Sequence, residues 1–219
     1  MKLARLFCSR WYDEERATFY TLKLGGKVGE LDHTNFEAIA FGFEGVLAEP
    51  YGGQFVDGHS GDSFTESRYG VESDMVPGLD EFVGRAAEAM DGGLWVVSSA
   101  AHDTVSEFLL KHGLRDYFAD ECIVGPAGGK GPNPDPAPYV EILRRAGLSH
   151  EQKKLLVIEN NGLLIEAARK SGAVAVGLVH APGGGWLRRL RGIQHPNVPV
   201  GRYEELGGAM GLTVSRPVL

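Results

Sequence analysis

The sequence predicts an α/β protein built on one parallel sheet with helices on both faces. From Ala38 onward, short apolar runs alternate with amphipathic segments at helical spacing, as expected when strands buried on both sides are joined by covering helices. Glycines follow these helical segments at Gly92-Gly93, Gly113, Gly147 and Gly172, where a residue that tolerates left-handed backbone angles ends a helix cheaply. A length of 219 residues, 43% hydrophobic and 23% charged, suits one domain with a real core.

Taken in order, residues 1–37 form an N-terminal extension. Alternation over 17–24 followed by Gly25-Gly26 fits an edge strand, and contact with a second copy in a homodimer is the other reading. The main domain spans 38–210. Its strands are expected at 38–43, 94–98, 122–124, 155–159, 173–178 and 197–200, and its helices at 79–90, 104–112, 138–146, 163–170 and 202–210. Residues 48–76, rich in Gly, Ser and Asp and lacking an apolar stripe, form a loop insertion too long for a plain connection. Residues 211–219 read as a C-terminal tail.

A net charge of -7 gives no positive field to attract nucleic acid or anionic lipid, and the basic group Arg188-Arg189 with Arg191 is confined to one short segment. Cys8 and Cys122 have no companion at metal-ligand spacing, so neither a zinc site nor a disulfide framework is expected. The apolar start of the chain is too short for a signal peptide and no stretch reaches membrane-spanning length, so a cytoplasmic protein is expected, without membrane association. The seven histidines are scattered, Gly58–Ser63 lacks the strand-turn-helix context of a serine hydrolase, and 124–131 lacks the residues of a phosphate loop.

In an open α/β sheet, ligands bind beyond the carboxyl ends of the strands. Here those ends read Ala-Ile-Ala-Phe-Gly42-Phe-Glu44-Gly45-Val-Leu, then Leu-Trp-Val-Val-Ser98-Ser99, then Gly-Gly-Lys130-Gly-Pro-Asn-Pro-Asp-Pro, then Leu-Val-Ile-Glu159-Asn160-Asn161. Each alone is weak. Together, in this order from about residue 38 to 210, they resemble the motifs of the haloacid dehalogenase (HAD) superfamily: Phe-Asp-x-Asp-Gly-x-Leu, a strand ending in Ser or Thr, Gly-Lys-Pro-x-Pro-Asp-Pro, and Val-Phe-Glu-Asp-Ser.

The resemblance implies a Rossmann-like, HAD-like core, here with no helical cap domain. In that family the first aspartate attacks phosphorus and the second acts as general acid and base. A Ser or Thr and a Lys hold phosphate oxygens, and magnesium is held partly by the first and the fourth-motif aspartates. By the same resemblance, Gly42 stands where the nucleophile would be, Glu44 at the acid/base position, and Asn160 in place of a metal aspartate. Lys130 lies one residue early. The anion-binding candidates are Ser98, Ser99, Lys130, Gly42 and Gly45; Ser98 has the alternative reading of a capping or turn residue, Lys130 of a solvated surface lysine, and Glu159 of either a second carboxylate near a metal or a buried acceptor. No cofactor is expected, and magnesium should bind weakly or not at all. Two functions follow from this pattern. One is a pseudoenzyme that serves as a binding or scaffold module for a small anionic ligand or a protein partner, without phosphatase activity. The other is a metal-independent isomerase, lyase or cyclase in which Glu44 works with Asp57, His59 or Asp62 of the loop.

Overall fold

The computed structural model describes residues 31–49, 70–90, 93–125, 135–149, 154–178, 198–200 and 202–212. Six strands, β1 (Ala38–Gly42), β2 (Leu94–Val97), β3 (Ile123–Val124), β4 (Leu155–Glu159), β5 (Val174–Leu178) and β6 (Val198–Val200), form one parallel sheet in the order β3-β2-β1-β4-β5-β6. Among the described residues five helices accompany it: α1 (Leu79–Ala89), α2 (His102–Lys111), α3 (Ala137–Arg145), α4 (Gly162–Lys170) and α5 (Tyr203–Ala209). All eleven elements coincide with expected ones to within a few residues at each end. The first strand stops at Gly42 because Phe43 already begins a turn, its carbonyl accepting from the N–H groups of Val46, Leu47 and Ala48.

The sheet order fixes where a ligand would sit. From β1 the chain moves one way to β2 and β3; from β4 it moves the other way to β5 and β6, so the crossover direction reverses between β1 and β4. Side chains of alternate parity feed two cores. Ile39 and Phe41 join α1, α2 and α5 on one face, where Phe41 meets Phe82 and Phe118 edge-on with centroids 6.0 and 5.8 Å away. The inward stripe of α1, Leu79, Phe82, Val83 and Ala86, has the i, i+3, i+4, i+7 spacing of a helix lying on a sheet. Ala38 and Ala40 face the other core, with Tyr139, Ile142 and Leu143 of α3 and Ile165, Ala167 and Ala168 of α4. Small residues on β1 let those helices seat close to the sheet. Burying one such Phe or Leu stabilises the fold by about 1.5–3 kcal/mol.

The packed unit extends past both boundaries drawn from the sequence. Leu31 and Leu212 lie in the first core, and His33 ties the two ends together, its backbone N–H and Nδ1 lying 3.0 and 2.8 Å from the Met210 carbonyl. The residues leading into and out of the 48–76 insertion also pair. Ala48 bridges Met75 antiparallel, Glu49 N–H donates to Asp74 O at 2.8 Å, and Val76 N–H donates to Leu47 O at 3.0 Å. No cap domain is present among the described residues. Among them, too, no helix is long and apolar enough to cross a membrane.

Candidate functional site

The carboxyl ends of β1, β2 and β4 converge at the reversal point. β1 ends in Gly42 and runs into the turn bearing Glu44; β2 runs into Ser98 and Ser99; β4 ends in Glu159, followed by Asn160 and Asn161. The turn after β1 is held from below by Tyr203 of α5, whose hydroxyl donates to Val46 O at 3.0 Å. Gly45 takes a φ of +73°, a conformation that glycine supplies without strain.

The β1/β4 half of the crevice is filled. Glu159 is 1% exposed, and its Oε1 accepts a hydrogen bond from the Tyr139 hydroxyl at 2.8 Å. Its Oε2 is buried, with no hydrogen-bond partner among the described residues. A β-carbon built on Gly42 would lie 2.5 Å from that Oε2 and 2.8 Å from Cδ, far inside van der Waals contact. The Glu159 carboxyl thus occupies the volume that any side chain at position 42 would need. Burial is the main reason its pKa is pushed up to about 8; the nearby charge of Glu44 adds to the rise, while the Tyr139 hydrogen bond and a backbone bond from Asn160 oppose it. At neutral pH Glu159 is therefore held mostly as the neutral acid. Tyr139 is pushed well above the usual phenol range by its own burial and by Glu159.

The β2 half keeps its donors in array. One oxygen of Glu44, Oε1, receives three hydrogen bonds: from Ser98 Oγ at 3.0 Å, Ser99 N–H at 3.0 Å and Ser99 Oγ at 2.7 Å. Ser98 is itself aimed. The Ala100 N–H donates to Ser98 Oγ at 2.9 Å, occupying a lone pair and leaving the hydroxyl proton for Glu44.

Sequence reasoning brought Gly42, Glu44, Ser98, Ser99 and Glu159 to one place, and the structure groups them there. Gly45 is different: expected to offer its N–H to an anion, it donates to Ala48 O at 2.8 Å, and the Phe43 N–H likewise goes to Val97 O at 2.9 Å. The chain tightens into a turn after β1, and the turn consumes these donors. Asn160 follows β4, half-buried, while Asn161 caps α4, its side chain accepting from the Leu163 N–H at 2.9 Å. Asp57, His59, Asp62 and Lys130 lie outside the described residues. Tyr139, absent from the sequence-based candidates, had one signal: it opens the inward stripe Tyr139, Ile142, Leu143 of α3, and a buried tyrosine hydroxyl requires a partner.

No family model and no curated protein sequence matches the chain. Solved structures do. A HAD-family hydrolase from Deinococcus radiodurans with bound phosphate and sodium aligns over 82% of this chain and 98% of its own, at 22% identity and a TM-score of 0.58. A HAD-superfamily hydrolase from Ehrlichia chaffeensis covers 80% and 97% at 12% identity with a TM-score of 0.54. A β-phosphoglucomutase from Clostridium difficile covers 80% and 97% at 14% identity with a TM-score of 0.51. The chain has the fold of the HAD-family hydrolases.

Proposed function

We propose that this chain is a catalytically silent HAD-like protein, which acts by binding at its crevice or as a scaffold rather than by transferring phosphoryl groups. One observation bears most of the weight: the position at the end of β1 from which a nucleophile would attack holds Gly42, and the volume its side chain would fill belongs to the buried Glu159 carboxyl. Gly42 itself carries no side chain with which to attack.

The donor set does not suit magnesium, which takes hard oxygen ligands in near-octahedral geometry. Gly42 has no side-chain ligand atom, Asn160 offers at best a neutral amide, Glu159 is buried and mostly protonated at neutral pH, and Oε1 of Glu44 already accepts from three donors. The alternative of a metal-independent isomerase, lyase or cyclase needs Glu44 to exchange a proton with substrate. Its engagement with Ser98 and Ser99 weighs against that role.

A phosphate-monoester assay over a range of divalent metals tests the proposal. No turnover above background is expected, and millimolar magnesium should move the Tm by less than about 1 °C, since a ligand raises Tm only as far as it binds the folded state. Robust metal-dependent hydrolysis that disappears in Glu44→Gln would show that the crevice is an active phosphatase site.

A further inference from the structure

We propose that Pro199 is an edge guard: by withholding a backbone donor from the outer side of β6, it keeps a second copy of this chain from extending the sheet there. The inference concerns the outer strands alone and is independent of how the crevice is read.

An edge strand turns part of its backbone N–H and C=O groups outward, and a strand of another chain can pair with them. Register decides which groups these are. Along a parallel ladder, successive residues alternate between the two sides, each directing its N–H and its C=O the same way. β6 pairs with β5 through Val176 with Val198, Gly177 with Pro199 and Leu178 with Val200. A residue whose backbone faces β5 has to donate its N–H to that strand, and proline has no N–H. The backbones of Val198 and Val200 therefore bond to β5, and that of Pro199, between them, faces outward. At the middle of its length the outer edge of β6 offers an acceptor and no donor, the place in a sheet where proline is tolerated.

The opposite edge is closed by another route, which leaves β6 as the edge that needs a guard. The Val124 carbonyl of β3 accepts from Ser98 N–H at 3.2 Å, so the Val124 backbone faces β2 and that of its neighbour Ile123 faces outward. The Ile123 N–H is already bonded within the chain: it donates to Asp120 O at the end of the short helical turn Asp120–Cys122. Arg115 pins that turn, its guanidinium bonding both the Asp120 carboxylate and Phe118 O. β3 is also only two residues long, so it presents little outward backbone.

A second copy is the occupant that the proline acts against. Two β6 edges related by a two-fold axis run antiparallel, with position 199 of one copy opposite position 199 of the other. An ordinary amino acid there would form a hydrogen-bonded pair, exchanging two N–H···O=C bonds with its counterpart. Pro199 removes both at once.

The test is sedimentation equilibrium over a concentration series on the full chain, comparing wild type with Pro199→Val and Pro199→Ala, each first checked for cooperative unfolding. Both variants should raise the self-association constant by at least about tenfold, the gain that two restored hydrogen bonds supply. On association, the new amide at position 199 should become protected from hydrogen exchange. A second measurement needs only the wild type: the Val198 and Val200 amides should exchange slowly, because they bond to β5. Folded variants that associate no more than wild type would overturn the proposal. So would association that leaves the amide at position 199 exchanging freely, or wild-type Val198 and Val200 amides that exchange as fast as those of an open chain.

Discussion

The two halves of the crevice are both occupied by a glutamate of the chain itself, but by different physics. At the β1/β4 side, Glu159 fills volume: it is buried, neutral at ordinary pH, and packed into the space beside Gly42. At the β2 side, Glu44 fills hydrogen bonds: it is half-buried and held by Ser98 and Ser99. Volume filling cannot be undone without moving a buried side chain and its tyrosine partner. Hydrogen-bond filling is undone by shortening one side chain. The first half is closed by packing, the second by hydrogen bonds to a half-buried carboxylate.

The largest expected effect breaks the packed half. Gly42→Asp places a β-carbon 2.5 Å from Glu159 Oε2 and adds a second carboxyl beside a buried one, so it should lower unfolding free energy by about 1–3 kcal/mol without creating phosphatase activity. Urea denaturation measures it. Gly42→Asp/Glu159→Ala should recover much of the loss, because the two substitutions share one volume. A Gly42→Asp protein of unchanged stability would mean that Glu159 swings aside freely.

A second prediction sharpens the contrast through pH. The folded-state pKa of Glu159 is raised from 4.5 to about 8, so the folded protein holds the proton that the unfolded chain releases. Its contribution is fully present below pH 4.5 and is lost as pH rises through about 8. Across that window stability should decline, at most by about 1.4 kcal/mol per pH unit for one proton. Glu159→Gln should flatten this slope, as read from urea midpoints along a pH series. Glu141, on the surface, is held down to about 2 by Arg144 and Arg145, so its dependence falls at lower pH and with opposite sign. An unchanged slope in Glu159→Gln would place the titration elsewhere.

The smallest effect belongs to the hydrogen-bonded half. Ser98→Ala removes one donor to Glu44 and the acceptor for the Ala100 N–H, and should cost about 1 kcal/mol. A loss as large as that of Gly42→Asp would show that the β2 half is also closed by packing.

Much of this architecture was legible in the chain. Parallel strands buried on both faces leave continuous apolar runs such as Leu155 to Ile158, and Gly113, Gly147 and Gly172, all at positive φ, mark where helices stop. The members of the crevice were legible too, because strand ends collect in a parallel sheet. Their pairing was not. Whether Glu44 reaches the loop or the Ser98-Ser99 step depends on side-chain length and on strand adjacency, and the Tyr139–Glu159 bond joins residues 20 apart in sequence on two different elements. The loss of the Gly45 N–H to Ala48 follows from how tightly the turn closes, which residue types alone do not specify.

The pairing of Leu47–Glu49 with Asp74–Val76 brings the two ends of the stretch between them side by side. Just inside this clamp, Val71 and Ser73 are tied to the end of α2, where Lys111 Nζ donates to Val71 O at 2.9 Å and His112 Nε2 lies 3.0 Å from Ser73 O, and doubling the length of a flexible loop adds only about 0.6 kcal/mol to its closure. The junction is accordingly a grafting socket. A foreign loop spliced between Glu49 and Gly70 would keep those ties and enter and leave through adjacent backbone beside the turn that bears Glu44, without altering the register of any sheet strand.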